Sequence, residues 1–523
     1  MHESTQNYLP SLVSVAFRMF LLVGGACVSV SCTSLPAQTP SLTTSAHWDA
    51  LAKTGVAAGE SDFGRNSEAD SWWLSLHDHA IDSLVEATLN SSPDLAQAMA
   101  RIQEAQATLG ESRSATLPQV SGNLSSSRGS TQISTASSRT QVGSTGSANV
   151  SIGWELDLFG RLRSQREAAQ QRLAARTADA QAIRIALEAE VADRTVEWRS
   201  CNYISEVQQW EVASRAITLS LVHQKVSFGI AAPIDESRAT NDVEYSRASS
   251  LAQQELCGRT VNALVALTGL EPDKIRSLLE QPPQRGVRAC RIDGLHASSD
   301  CDPSDELRTR VVLAAPPQFG LAAPAIVLAE NPSVISAQRE LAAAHADLDT
   351  ARASRYPSLN LTSLLSGQWL SIGGQAIDFA TWTAGAVLSV PLVDGGSATA
   401  RIDGAEARYR EVQGRMLTVL RSSAQDVENA LLASTSADRR AEIAQRAAIA
   451  AATSSRIAQI QWQSGASTLL DLEDARRQYA TAAQNAIAAA KDRSQSWIAL
   501  VRATGNHGFT VIDSPTKEPN HVE

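Results

Sequence analysis

Residues 163–228 contain neither glycine nor proline, a run of 66 residues. If helical throughout, it is about 99 Å long at 1.5 Å per residue. No ordinary domain core is that deep, so such a helix must pack lengthwise against others. Ile183, Leu187, Val191 and Trp198 give it one apolar face. Two more runs without either residue, 415–464 and 466–504, flank Gly465. Gly229 holds the corresponding place after the first run. A lone glycine between two helical runs is a turn point, so the pattern predicts two long antiparallel helical hairpins.

The hairpins belong to two copies of one unit. Pro93 and Pro118 recur as Pro332 and Pro357, both 239 residues later. Gly160, Gly229 and Gly269 recur as Gly396, Gly465 and Gly505, all 236 residues later. The three-residue difference falls between Pro118 and Gly160, where a loop can absorb it. Arg113 matches Arg352, and Leu267-Thr268-Gly269 matches Ala503-Thr504-Gly505. Five spaced landmarks in register indicate tandem duplication. Each copy is expected to carry a helix (about 93–115 and 332–355), two strands, and a long hairpin ending at Thr-Gly.

The strand segments alternate. Val150, Ile152, Trp154, Leu156 and Leu158 interleave with Ser151, Gly153, Glu155 and Asp157. Trp382, Ala384, Ala386, Leu388, Val390 and Leu392 interleave in the second copy, with weaker partners near 119–127 and 357–366. Nine to eleven such residues suffice for a tilted strand to cross a bilayer, and a half-solvated sheet would show the same alternation. Four strands cannot close a membrane barrel, and open edges are forbidden in lipid. Spanning strands would therefore require several chains to share one barrel. Three chains would supply twelve strands.

The remaining composition narrows the choice. Mean hydropathy is −0.14, and after the N-terminus there is no run of 18 apolar residues. An ordinary transmembrane helix is therefore unavailable. A net charge of −10 lacks the basic footprint of a nucleic-acid binder. His77, His79, His223 and His345 show no metal-ligand spacing, and no nucleophile triad or phosphate loop stands out. No cofactor and no catalysis are expected.

Residues 1–31 read as a secretory signal with a lipobox, Arg18 preceding a short apolar core. Cys32 is the candidate acylated residue, with Cys27 as the alternative and a plain signal peptide as the third reading. Export puts the other four cysteines in an oxidising compartment. Cys201 and Cys257 lie 28 residues before and after Gly229, level on the first hairpin. They are a plausible staple or two separate buried thiols. Cys290 and Cys301, eleven apart in a polar stretch, are a second possible pair.

The run Trp154-Glu155-Leu156-Asp157-Leu158-Phe159-Gly160-Arg161 resembles a hallmark of the TolC-like outer-membrane efflux protein family, in particular its lipoprotein branch. The duplication, Trp72-Trp73, Pro391-Leu392-Val393-Asp394-Gly395-Gly396 and the Thr-Gly helix ends also fit, over about 70–507. The resemblance implies a mainly α, α+β fold: a homotrimer with a twelve-stranded outer-membrane barrel and a periplasmic α-barrel. It implies partners in a periplasmic adaptor, an inner-membrane resistance-nodulation-division transporter and outer-membrane lipids. The corresponding plan is an N-terminal acylated segment 32–71, a first repeat 72–300, a linker 301–330, a second repeat 331–507 and a flexible tail 508–523.

The resemblance places the periplasmic gate at the two glycine turns. Asp471 and Asp474 share a helix face after the second turn, and family members resemble this with two aspartates lining a closed entrance. Six carboxylates from three chains would favour cations, and repulsion would raise some of their pKa values. Asp235 matches a family aspartate that latches the entrance through an arginine and a tyrosine; here those positions are Ser467 and Trp462. The same three aspartates also suit helix N-termini on dipole grounds alone. Beside an efflux duct, a type I secretion duct and a pore-free coiled-coil scaffold are the alternative readings.

Overall fold

The computed structural model describes residues 48–49, 67–132, 140–281, 316, 318–321, 323–372, 375–506 and 509–512. A 3-10 stretch, Ser67–Leu76, leads into α1 (His79–Ser91) and α2 (Pro93–Ser114). A strand pair follows, β1 (Gln119–Gln132) and β2 (Thr140–Leu156). Then come the long α3 (Arg161–Ser227), its return α4 (Pro233–Thr268) and the short α5 (Pro272–Leu279). The second half runs β3 (Gln318–Leu321), α6 (Pro324–Glu330), α7 (Pro332–Ala353), β4 (Ser358–Ile372) and β5 (Gln375–Ser389). It ends with α8 (Ser397–Gln463), α9 (Leu469–Thr504) and β6 (Phe509–Ile512).

The copies match in length. α2 and α7 have 22 residues each, α3 and α8 have 67, and α4 and α9 have 36. Both long helices start the same way. Gly160 and Gly396 sit at φ 81° and 89°, where a Cβ is disfavoured. Just before each glycine an aspartate turns back to free backbone N–H groups. Asp157 accepts from Leu162 and Arg163 at 3.2 and 2.9 Å, and Asp394 accepts from Gly396 and Ala398 at 3.0 and 2.7 Å. These bonds hold the Asp394 carboxyl below its usual range.

α8 extends further than its sequence suggests. It begins eighteen residues before the glycine-free run and passes through Gly404 and Gly414. Each glycine costs about 1 kcal/mol against alanine. Packing of α8 on α7 and α9, with Ala405, Met416 and Leu420 buried, overrides that local preference. Residues 509–512, expected in a flexible tail, instead form β6, which pairs antiparallel with β3 from the expected linker. Four-residue strands carry too little pattern to be read locally.

Alanines line the buried seams of the hairpins, among them Ala168, Ala175, Ala189 and Ala192 on α3 and Ala480, Ala483 and Ala486 on α9. Small side chains let long helices approach along their length. The larger core lies where the 3-10 stretch, α1, α3, α4, α5 and α9 meet: Trp72, Trp73 and Trp497 pack with Ile81, Leu84 and Leu264. Trp72 donates its Nε1–H to Glu188 at 3.1 Å. Beside it, buried Arg199 makes a bidentate pair with Asp78, both contacts 2.7 Å, and donates to the Leu279 and Gln281 carbonyls.

The four long strands form one antiparallel sheet in the order β1-β2-β4-β5. The register sorts its faces. One face carries Val120, Leu124, Val150, Ile152, Leu361, Leu365, Trp382 and Leu388. The other carries Ser/Thr/Asn rungs: Ser121–Ser151 at 2.7 Å, Ser125–Ser147 at 2.8 Å, Ser127–Thr145 at 2.7 Å and Ser366–Asn149 at 2.6 Å. Among the described residues no helix is long and apolar enough to cross a membrane.

Candidate functional site

Two regions carry the chemistry: the sheet with its two open edges, and the glycine turns of the hairpins. Both turns have one geometry. Gly229 and Gly465 take φ +72° and +77°. The N–H of Ile230 returns to the Lys225 carbonyl at 2.8 Å, and that of Ala466 to the Gln461 carbonyl at 2.7 Å. These bonds close the helix ends as glycine-terminated caps do. The first turn leaves Phe228 and Ile230 77% and 74% exposed, and the second leaves Leu470 74% exposed.

The aspartates expected at a gate have partners within their own helices. Asp471 completes a capping box on α9: its Oδ2 accepts from the Thr468 N–H at 3.0 Å and hydroxyl at 2.6 Å, while Thr468 Oγ1 accepts from the Asp471 N–H at 3.1 Å. Those bonds hold the Asp471 carboxyl below its usual range. Within one chain the direction is thus opposite to that expected from a ring of repelling carboxylates. Asp474 accepts from Gln478 at 2.9 Å and lies 3.7 Å from Arg477. Asp235 accepts from the Ala232 N–H at 3.3 Å and lies 3.9 Å from Arg238. Ala232 has no side-chain oxygen, so that box is half made. Among the described residues, neither Trp462 nor Ser467 bonds to Asp235, and the buried Ser467 hydroxyl has no partner. The structure therefore brings Asp235 and Asp471 to the starts of their own helices, places Asp474 nearly one turn further along α9, and does not join Asp235 to the second turn.

What joins the hairpins near their turns is a set of residues not singled out in the sequence. Thr218 on α3 donates to Glu473 on α9 at 2.6 Å. Arg476 donates to the same Glu473 and to Ser214, each at 3.1 Å, and to Gln459 at 3.4 Å. Trp210 meets Tyr479 edge-on, centroids 5.7 Å apart. These contacts floor a groove of about 300 Å³ whose wall includes Asp235, Arg238, Leu469 and Leu470. A Glu-x-x-Arg pair on a helix is too common to be read as a link between hairpins from sequence.

Cys201 and Cys257 are joined by a disulfide, with Cα atoms 5.6 Å apart. Cys27, Cys32, Cys290 and Cys301 lie outside the described residues. The Trp-Glu-Leu-Asp-Leu-Phe-Gly-Arg run forms the junction between sheet and hairpin. Trp154 donates to the Thr116 carbonyl at 3.0 Å, and Glu155 receives Arg161 at 3.2 and 2.7 Å. Asp157 caps α3, and Phe159 stacks on Tyr356 at 5.0 Å. Its polar residues thus turn the chain from strand to helix.

A two-faced sheet with free edges, carried on duplicated helical hairpins, is the TolC-like channel fold. The chain belongs to the outer membrane efflux protein family, which it matches over residues 84–270 and 323–506, one stretch in each copy. It is 27% identical to the pyoverdine export outer membrane protein OpmQ of Pseudomonas putida over 456 residues, 85% of this chain and 89% of that one. It is 26% identical to the toluene efflux pump outer membrane protein TtgC of Pseudomonas putida, covering 95% of each. In fold it matches the CmeC outer membrane channel of Campylobacter jejuni with a TM-score of 0.74, over 90% of this chain and 94% of that one at 19% identity. The family consists of outer-membrane channel proteins of Gram-negative bacteria.

Proposed function

We propose that three copies of this chain form the passive exit duct of a tripartite efflux pump. The carrying observation is the four-stranded sheet, with one mainly apolar face, one face rich in serine, threonine and asparagine, and two open edges. Each edge leaves unpaired backbone groups that lipid cannot satisfy, so further copies must close the barrel. The serine, threonine and asparagine face then lines the lumen. The hairpins extend it into the periplasm, with the glycine turns as the entrance.

At the entrance, exposed Phe228, Ile230 and Leu470 and the groove beside Glu473 offer a seat for a periplasmic adaptor. The adaptor would link the duct to an inner-membrane transporter of the resistance-nodulation-division type, which supplies the energy. Acylation at Cys32, or at Cys27, would anchor the N-terminus in lipid. Asp471 and Asp474 from three chains would ring the entrance. Drugs or other small toxic compounds are the substrate class, as the pumps of similar channels suggest.

Single-channel conductance in planar bilayers tests the reading. The expected result is a small cation-selective conductance that rises in Asp471→Ala/Asp474→Ala. A folded, outer-membrane-extracted protein that conducts in neither form would rule out the duct and leave a scaffold.

A further inference from the structure

The internal duplication determines more than the plan of one chain: it fixes how two chains meet. The inference rests on the reading of a shared barrel and goes on to its register. Residues up to the first strand of each copy correspond with an offset of 239, and residues from the second strand onward with an offset of 236. The ladders obey these offsets. Gln119 pairs with Gly153 in β1–β2, and their counterparts Ser358 and Ser389 pair in β4–β5. The three-residue difference is confined to the hairpin tips, because Gln132↔Thr140 likewise corresponds to Ser371↔Ala376. The two β-hairpins are therefore equivalent in register.

One seam between hairpins is visible, β2 against β4, with Gly153 opposite Thr362. In a closed barrel of three chains the hairpins alternate around the ring, and the unseen seam is β5 against β1 of the next copy. A shear shared evenly around the barrel gives seams related by the duplication the same register. Applying the offsets, Gly153 becomes Ser389, and Thr362 becomes Asn123. We infer that β5 of one chain pairs with β1 of a second copy with Ser389 opposite Asn123, so that Gly385 meets Ser127 and Trp382 meets Ser130.

Two independent features agree with that register. The first is parity. A slip of one residue would exchange the faces of a strand. The inferred register keeps Ser389, Gly385, Asn123 and Ser127 on the polar face, and Leu388 opposite Leu124 on the apolar face. The second is the fit of large against small. At the visible seam Trp369 lies over Gly146, where a Cβ would come 1.9 Å from its ring. Under the offsets Gly146 corresponds to Trp382 and Trp369 to Ser130, so the bulky and small partners exchange strands and the pairing of large with small is retained. Trp382 is 76% exposed in the single chain, as a ring awaiting such a neighbour should be.

The register also gives Arg128 a setting. The four strands hold three charged residues: Glu155, paired with Arg161, and the edge-strand residues Arg128 and Asp378. Arg128 lies on the apolar face, four residues before the end of β1. Across the inferred seam it stands opposite the small Ala384 and diagonal to Trp382. A diagonal neighbour is within reach of a long side chain, and a guanidinium over an indole is favourable.

Paired cysteines test the register in the full-length protein. Directly opposite residues have Cα atoms within disulfide range, whereas a residue two places along lies at or beyond its limit. Ser389→Cys/Asn123→Cys and Gly385→Cys/Ser127→Cys should give oxidised dimers and trimers in outer-membrane fractions. Their yield should exceed that of the shifted pairs Ser389→Cys/Ser121→Cys and Ser389→Cys/Ser125→Cys on the order of tenfold. Single-cysteine variants set the background, and amine crosslinking of each confirms that it still assembles. Maximal yield at a shifted pair, with trimers intact, overturns the register and leaves the duct reading standing. Chains that stay monomeric by amine crosslinking, in the wild type as well, overturn both.

Discussion

The two hairpins have the same length and opposite fastenings. On the first, Cys201 of α3 is bonded to Cys257 of α4. The corresponding positions on the second are Ala437 and Arg493, and there Arg493 bonds to the neighbouring Asp438 at 2.5 Å. A covalent bridge thus stands where the other copy has a half-exposed ion pair. Exposed pairs contribute at most about 1 kcal/mol, whereas closing a loop of 56 residues contributes about 4 kcal/mol in the chain-entropy account. Two residues before Cys201, Arg199 is locked to Asp78 in the core, while its counterpart on the second hairpin is Thr435. The first hairpin is therefore pinned to the core and internally clamped. The second can shift one helix against the other without breaking a covalent bond. Duplication supplied two hairpins of equal length, and a few substitutions clamped one of them.

The comparison can be broken at several points. Arg199→Leu should be the most damaging, because it leaves Asp78 as a buried, unpaired charge, at a cost of about 3–5 kcal/mol. Chemical denaturation of the detergent-extracted protein would measure it. Replacing both Cys201 and Cys257 by alanine, or reducing the bridge, should cost about 2–4 kcal/mol. Hydrogen exchange should then rise across α3 and α4 toward the level of α8 and α9. Equal exchange in both hairpins before reduction would remove the asymmetry. Thr468→Ala, which deletes the full cap on α9, should cost about 1 kcal/mol and fray the first turn of α9. Asp438→Ala should change stability by less than about 1 kcal/mol.

A pH dependence separates the turns from the core. Asp471 has a folded pKa below its unfolded value. Its contribution is present above the ordinary carboxylate pKa and is lost as pH falls through the folded value. Burial, with Glu190 and Glu197 nearby, pushes Asp193 up, and burial, with Asp78 nearby, does the same to Asp82. For these two the sign reverses: protonation is more favourable in the folded state, so lowering the pH toward their raised pKa values stabilises the core. Mild acid should therefore fray the start of α9 before the core loosens. Exchange measured across a pH series, wild type beside Asp471→Ala, would show whether the order holds.

Much of this was legible residue by residue. Long helices require only the absence of breakers and a repeated apolar face, and both are local properties. The glycine turns are visible because a positive φ is costly for any other residue. The aspartates beside the glycine turns were legible as acids near helix starts, but their partners were not. Thr468 is three residues from Asp471, and the choice between turning back to cap the helix and pointing into an entrance depends on three-dimensional placement. Glu473, Arg476 and Thr218 went unnoticed because their link spans 255 residues of chain from Thr218 to Glu473.

The duplication, the long hairpins, their turning points and the two-faced strands can be read from residue order alone, because chirality, chain stiffness and apolar periodicity act over a few residues. Only the tertiary structure decided that Cys201 meets Cys257, that residues 509–512 pair with 318–321, and that Gly153 stands opposite Thr362. Those pairings select one partner among many of similar chemistry. What selects it is the packing of whole helices and strands, not the residues that finally touch.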